Sequence, residues 1–171
     1  MRALPKILQR RPKATVLIVG GDGVSYGTRP AQGDGWRQQL LQEVGADHEL
    51  RRVHFLGRLG FRQYLSVLQL SAVHVYLTYQ FVLSWSLIEA LAVGCLVVAS
   101  RTPPVEEIIS DGENGYLFDF FDVDGLADRV GEVLKQTEAH HHISANARAS
   151  VVARYDLKGI ACRPIFRCCS S

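Results

Sequence analysis

The chain has 171 residues, enough to bury a sizeable core without disulfides, and its 47% hydrophobic and 21% charged content is that of a globular protein. Nineteen lysines and arginines against 17 acids give a net charge of +2, which excludes a global field that would gather nucleic acid or acidic lipid. Four cysteines, three of them crowded at Cys162, Cys168 and Cys169, form neither a disulfide framework nor a metal-ligand spacing, so a reduced, cytoplasmic setting with no metal or cofactor is expected.

The opening "MRALPKILQRRPK" has too short an apolar core for a secretory signal, and its narrow apolar face of Leu4, Ile7 and Leu8 predicts an ordinary surface helix. No apolar run approaches the ~20 residues that span a bilayer. Short runs rich in valine, isoleucine and leucine then recur at 15–19, 53–56, 73–77, 96–99 and 115–118, the pattern of strands buried on both faces. Amphipathic helix patterns separate them at 36–44, 61–70, 86–93, 105–109 and 123–134. The alternation predicts an α/β fold, a Rossmann-like doubly wound parallel sheet. Residues 1–155 form its domain and 156–171 an irregular tail. The chain opens on a helix with no strand before it, so the first strand is expected to be missing. The last residues suggest an altered reading frame.

In such sheets ligands gather outside the carboxyl ends of strands, which directs attention to the loops after Val19, Leu56, Leu77 and Ala99. The glycines Gly20, Gly21, Gly23 and Gly27 invite a dinucleotide fingerprint, but Pro30, Gly33 and Gly35 delay the next helix to Trp36, so the loop reads either as a turn or as backbone that meets a ligand. Arg58 follows "VHFLG" directly and suits either a phosphate or an exposed surface. The tract His140 to His142 reads as a solvated helix face, and His48, His54 and His74 as structural.

The segment "YQFVLSWSLIEALAVGCLVVAS" carries the richest chemistry. Ser84 or Ser86 can cap the helix, and Ser86 with Glu89 makes a capping box, Ser-x-x-Glu. The same residues also read as an anion site: free amides at Trp85, Ser86 and Leu87 with serine hydroxyls beside them, and Glu89 one turn further in to accept from sugar or ribose hydroxyls. Both readings stand on local pattern.

The order of elements adds a resemblance. "ATVLIVGGDG", "VHFLGRLGFRQYLSVLQLSAVHVYLT" and "SLIEALAVGCLVVASRTPPVEEIISDGENGYLF" together resemble the carboxyl-terminal, donor-binding domain of retaining glycosyltransferases of family four, GT-B fold, and are similar in particular to a bacterial branch. The likeness covers roughly Leu4 to Tyr155. It implies that Ser84, Trp85, Ser86 and Leu87 line the diphosphate of a nucleotide sugar. Glu89, the second acid of a Glu-seven-residues-Glu motif, would bind the ribose. Gly21 and Gly23 would border the donor cleft, Arg58 would lie beside the nucleoside, and Thr102 and Glu107 would face the same cleft.

Three departures stand out: Phe81 in place of the first acid, Arg101 where an aspartate is common, and Pro103 and Pro104 in place of two glycines. The resemblance further implies that Met1 is an internal methionine, that the arginine and lysine holding the leaving diphosphate precede it, and that an amino-terminal acceptor domain is a missing partner. No catalytic residue is assigned. The expected reaction of the intact enzyme is hexosyl transfer from a nucleoside diphosphate sugar to a hydroxyl acceptor, with peripheral membrane contact, while this half alone is expected to be inactive or nearly so. The alternative is a decayed binding or interaction module that self-associates through an exposed sheet edge. An epimerase half shares the architecture but lacks an acid-base set here.

Overall fold

The computed structural model describes residues 1–23, 35–45, 48–79 and 82–156. Gly27, Pro30, Gly33, Phe81, Cys162, Cys168 and Cys169 lie outside the described residues.

Among the described residues five strands and seven α-helices follow one another: α1 (Leu4–Arg10), β1 (Val16–Val19), α2 (Trp36–Val44), β2 (Val53–Gly57), α3 (Phe61–Leu70), β3 (His74–Tyr76), α4 (Trp85–Ala92), β4 (Val97–Ser100), α5 (Pro103–Glu106), β5 (Tyr116–Phe118), α6 (Val123–Lys135) and α7 (His141–Tyr155). All strand pairs are parallel. They form two sheets, β1-β2 and β3-β4-β5, rather than one continuous sheet. The alternation fixes parallel pairing within each sheet, but runs that are apolar throughout carry no information on which strands become neighbours.

The larger sheet shows why its strands read as continuous apolar runs. Along β4 and the residue before it, Val97 and Ala99 point into one cluster with Leu68, Leu87, Leu91, Val105 and Ile109. Leu96 and Val98 point into the other, with Ile7, Phe118, Leu126, Val130 and Val133. Successive side chains alternate across the strand, so a strand covered by helices on both faces must be apolar at every position. The surface helix expected at the start turns its apolar face inward: Ile7 and Leu8 are buried, Lys6, Gln9 and Arg10 are exposed, and α1 packs against α6. Its narrow stripe suffices because α1 is only seven residues long. Ion pairs Lys6–Asp124 and Arg10–Asp128 rim the contact.

Arg52 fastens this layer to the smaller sheet. Its guanidinium donates to the carbonyl oxygens of Leu8 (2.9 Å), Arg11 (3.0 Å), Pro12 (2.9 Å) and Ala14 (2.9 Å), tying β2 to the end of α1 and the approach to β1.

Two elements depart from their expected bounds. The short helix expected at 105–109 begins two residues earlier, because Pro103 and Pro104 occupy its first turn, where the preset φ is favourable and a missing N–H costs nothing. Helix α7 carries too weak an apolar pattern to be read directly. Its buried residues are Ile143, Ala147 and Val151, one thin stripe four residues apart. His140 departs from the expected solvated face: its Nδ1 lies 2.7 Å from the Tyr116 hydroxyl, while His141 and His142 are exposed.

The "DGENG" turn is held by its own polar side chains. Asp111 accepts from the Leu117 amide (2.9 Å), Asn114 donates to the Ile108 carbonyl (2.9 Å) and accepts from the Ser110 amide (2.8 Å), and Gly112 takes a φ of 79°.

His74, at the start of β3, has a structural place as expected and a measurable consequence. Its Nε2 is buried without a partner, and burial lowers the imidazole pKa below the usual value. The folded state therefore holds His74 neutral, whereas the unfolded chain takes up a proton near pH 6.5. Because the unfolded state binds more protons, this group's contribution to stability is lost as pH falls below about 6.5. Urea unfolding at pH 7.5 and pH 5.5 should show lower stability at the acid end, and His74→Leu should reduce that slope.

Candidate functional site

The candidate residues fall at carboxyl ends of strands, in groups that the structure places as follows. At the end of the smaller sheet the Gly20 amide donates to the Gly57 carbonyl (2.9 Å), which brings Gly21 and Arg58 together. A Cβ built on Gly21 would come within 2.9 Å of Arg58 Nε, so glycine is what lets the exposed guanidinium lie across this backbone. Gly23 has no such neighbour. Arg58 makes no hydrogen bond or ion pair among the described residues. Arg37, which no sequence motif singles out, adds a second cation here: it donates to Asp22 (3.2 Å) and stacks 3.9 Å over the Phe55 ring. Nothing in periodicity marks it, since its partners lie on β2 and on the loop after β1.

Gly21→Ala is expected to displace the Arg58 side chain, a flexible group that can yield, and so to leave stability within ~0.5 kcal/mol of the parent. Urea unfolding checks the stability, and calorimetry with a nucleoside diphosphate should show weaker binding.

In the larger sheet the Ser100 hydroxyl donates to the Thr78 carbonyl (2.7 Å) and accepts from its amide (2.9 Å), fastening the loop after β3 to the end of β4. The Tyr76 hydroxyl accepts from the Ser84 amide (3.0 Å) and so fixes where α4 starts. Ser84 is the N-cap. Its Oγ accepts from the Ser86 amide (3.2 Å) and lies 2.8 Å from the Ser86 hydroxyl. The Ser86–Glu89 capping box is therefore not formed. Ser86 stands inside the first turn, and Glu89 is released from any capping duty.

The anion-site expectation is altered in two details. Of the three amides taken as free, Ser86 N–H is engaged by Ser84 Oγ, and Leu87 N–H donates to the Ser84 carbonyl (3.1 Å). The Leu87 side chain is fully buried in the core and turns away from any cleft. Trp85, by contrast, is 76% exposed. What α4 presents outward is the two serine hydroxyls, the Trp85 indole and the half-buried Glu89 carboxylate, which makes no hydrogen bond of good geometry among the described residues.

Thr102 and Glu107 flank α5. Thr102 is buried, its hydroxyl without a partner, while Glu107 is exposed. Arg101, the inverted charge, is neutralised by Asp111 (2.7 Å) and Glu106 (3.3 Å). No hydrogen bond or ion pair joins the Gly21–Arg58 group to the α4 group among the described residues. A shallow depression along α2, lined by Arg37, Leu41 and Gly45, contains none of the candidate residues.

No cluster of three or more histidine, cysteine, aspartate or glutamate side chains able to hold a metal occurs among the described residues, and no described helix is long and apolar enough to cross a membrane.

Comparison with known proteins places this arrangement. N-acetyl-alpha-D-glucosaminyl L-malate synthase of Bacillus anthracis is 30% identical over 139 residues, which are 81% of this chain and 33% of that protein. Phosphatidyl-myo-inositol mannosyltransferase of Mycolicibacterium smegmatis is 29% identical over 160 residues, 91% of this chain and 36% of that protein. The chain thus spans about a third of the length of these relatives. Among solved structures, Anabaena HepE in complex with UDP-glucose superposes with a TM-score of 0.77 at 20% identity, over 99% of this chain and 44% of that one. The C-terminal domain of a glycosyl transferase group 1 family protein from Francisella tularensis gives a TM-score of 0.76 at 22% identity, covering 90% of this chain and 76% of that domain. The architecture is that of the Rossmann-like carboxyl-terminal domain of a GT-B fold. With residues 1–150 matching the family described as Glycosyl transferases group 1, the chain belongs to that family.

Proposed function

We propose that this chain is the nucleotide-sugar-binding half of a retaining hexosyltransferase, which passes a sugar from a nucleoside diphosphate donor to a hydroxyl acceptor. The observation that carries the reading is the pairing, on α4, of two serine hydroxyls at the helix start with a carboxylate one turn later that closes no cap. A helix start favours anionic oxygen, and a carboxylate with two acceptor oxygens suits a ribose diol. An arriving diphosphate would take over the Ser86 amide from Ser84 Oγ. Arg58, exposed beside Gly21 and unpaired among the described residues, supplies a cation at the end of β2 in the other sheet. The UDP-glucose held by Anabaena HepE makes uridine nucleotides the first donors to try.

We take the half alone to be inactive or nearly so, needing an acceptor-binding domain opposite. Transfer requires a desolvated site in which fixed cations neutralise the leaving diphosphate, and a single wall leaves the reacting bond open to water.

A second reading is a non-catalytic module that associates through its sheet edges. It is favoured by the topology, in which two separate sheets end on strands paired on one side only among the described residues.

Titration calorimetry of the folded chain against UDP, GDP, ADP and their sugars tests the proposal. Binding of one nucleoside diphosphate without turnover is the expected result. Turnover by this chain alone overturns the claim of an incomplete half, and no heat with any nucleotide favours the second reading.

A further inference from the structure

Glu89 faces a group that has no role in the donor site proposed so far. Tyr64, on α3, packs its ring against the larger core, and its hydroxyl is buried with no hydrogen-bond partner of good geometry. The Glu89 carboxylate lies close enough to act on that phenol: together with desolvation, the larger cause, it pushes the Tyr64 pKa up to about 12. The phenol therefore keeps its proton at neutral pH. Cys95, the other ionisable group beside it, already donates its thiol hydrogen to Leu68. A buried hydroxyl without a partner costs about 1–3 kcal/mol, so a carboxylate facing it is the natural acceptor once a ligand orders the site.

We propose that Tyr64 is a positioning residue for Glu89: its hydroxyl donates to one carboxylate oxygen and leaves the other turned toward the ribose hydroxyls of the donor. This rests on the reading of Glu89 as the ribose-binding acid. Two features of the fold favour it. Glu89 has no cap to make, because Ser84 starts the helix, so its carboxylate is left for other partners. In addition, α3 and α4 pack together, so the phenol is presented from a rigid neighbour rather than from a loop. Holding one rotamer of a side chain that would otherwise lose entropy on binding is how such a residue contributes affinity without touching the ligand.

Tyr64→Phe keeps the ring and removes only the hydroxyl. Calorimetry of the full chain with UDP and with 2′,3′-dideoxy-UDP, which lacks the ribose diol, separates the outcomes. The expected result is roughly 5- to 10-fold weaker UDP binding by Tyr64→Phe, with the dideoxy compound bound as by the parent. Glu89→Gln should lose the same preference for UDP, and the double variant should lose no more than Glu89→Gln alone. Urea unfolding should show Tyr64→Phe no less stable than the parent, since an unsatisfied hydroxyl has gone. If Tyr64→Phe is not recovered folded, Tyr64→Leu serves the same comparison. Should the parent and Tyr64→Phe prefer UDP equally while Glu89→Gln does not, the positioning role is overturned and the ribose role stands. Should the parent bind UDP and dideoxy-UDP alike, or bind neither, the ribose role fails and the positioning role with it.

Discussion

Leu87→Ala is expected to destabilise the chain by about 3–4 kcal/mol, the range for deleting a fully buried leucine from a packed core. Leu87 has no exposed surface and lies among Leu91, Val97, Ala99, Val105 and Ile109, contributed by α4, β4, α5 and the turn after it. The cavity would open where four elements meet, which leaves little freedom to collapse. Helix α4 has only eight residues, too few to hold its shape without tertiary contacts, so losing its central anchor loosens the whole element. The resemblance to the family implies a place for Leu87 beside the diphosphate, and the structure makes that a matter of its backbone alone. Urea unfolding followed by circular dichroism measures the loss. A variant as stable as the parent but unable to bind nucleotide would show that the side chain, not the core, is what matters at this position.

Glu89→Gln is expected to weaken nucleoside diphosphate binding roughly 10- to 30-fold, as exchanging a charged acceptor for a neutral amide at a ribose diol should. Stability should stay within ~0.5 kcal/mol of the parent, because the carboxylate serves neither a cap nor an ion pair among the described residues. The two effects lie on different axes. A capping role predicts a change in unfolding with little change in affinity, and a ligand role predicts the reverse. Calorimetry and urea unfolding of one protein preparation settle the choice. Equal affinity for UDP, GDP and ADP in parent and variant, in a sample that binds at least one of them, would remove Glu89 from the site.

Much of the fold is legible in the order of the residues. Strands covered on both faces must be apolar throughout, and β4, with Val97, Val98 and Ala99 all buried, is recognisable for that reason. The helices with wide apolar faces, α3 and α6, are readable to within a residue. Helix α7 is not, since one isoleucine, one alanine and one valine make a stripe too thin to stand out. Arg37 and Arg52 are invisible to local pattern because their partners lie far along the chain, on β2 and the turn before β1 respectively.

By itself, then, the sequence determined the α/β alternation, the family, and the strand ends at which ligand chemistry gathers. These follow from the periodicity of side chains and from motifs that are local. Tertiary structure alone decided that Ser84 and not Ser86 starts α4. Two serines two residues apart satisfy the same local capping rule, and the choice is made by the hydroxyl of Tyr76, eight residues upstream on the end of β3. That one contact leaves Glu89 without a cap to close, with Tyr64 facing it from α3. Local spacing has no means of seeing a partner delivered by a neighbouring strand or helix, and here that partner determines which acid is left for a ligand.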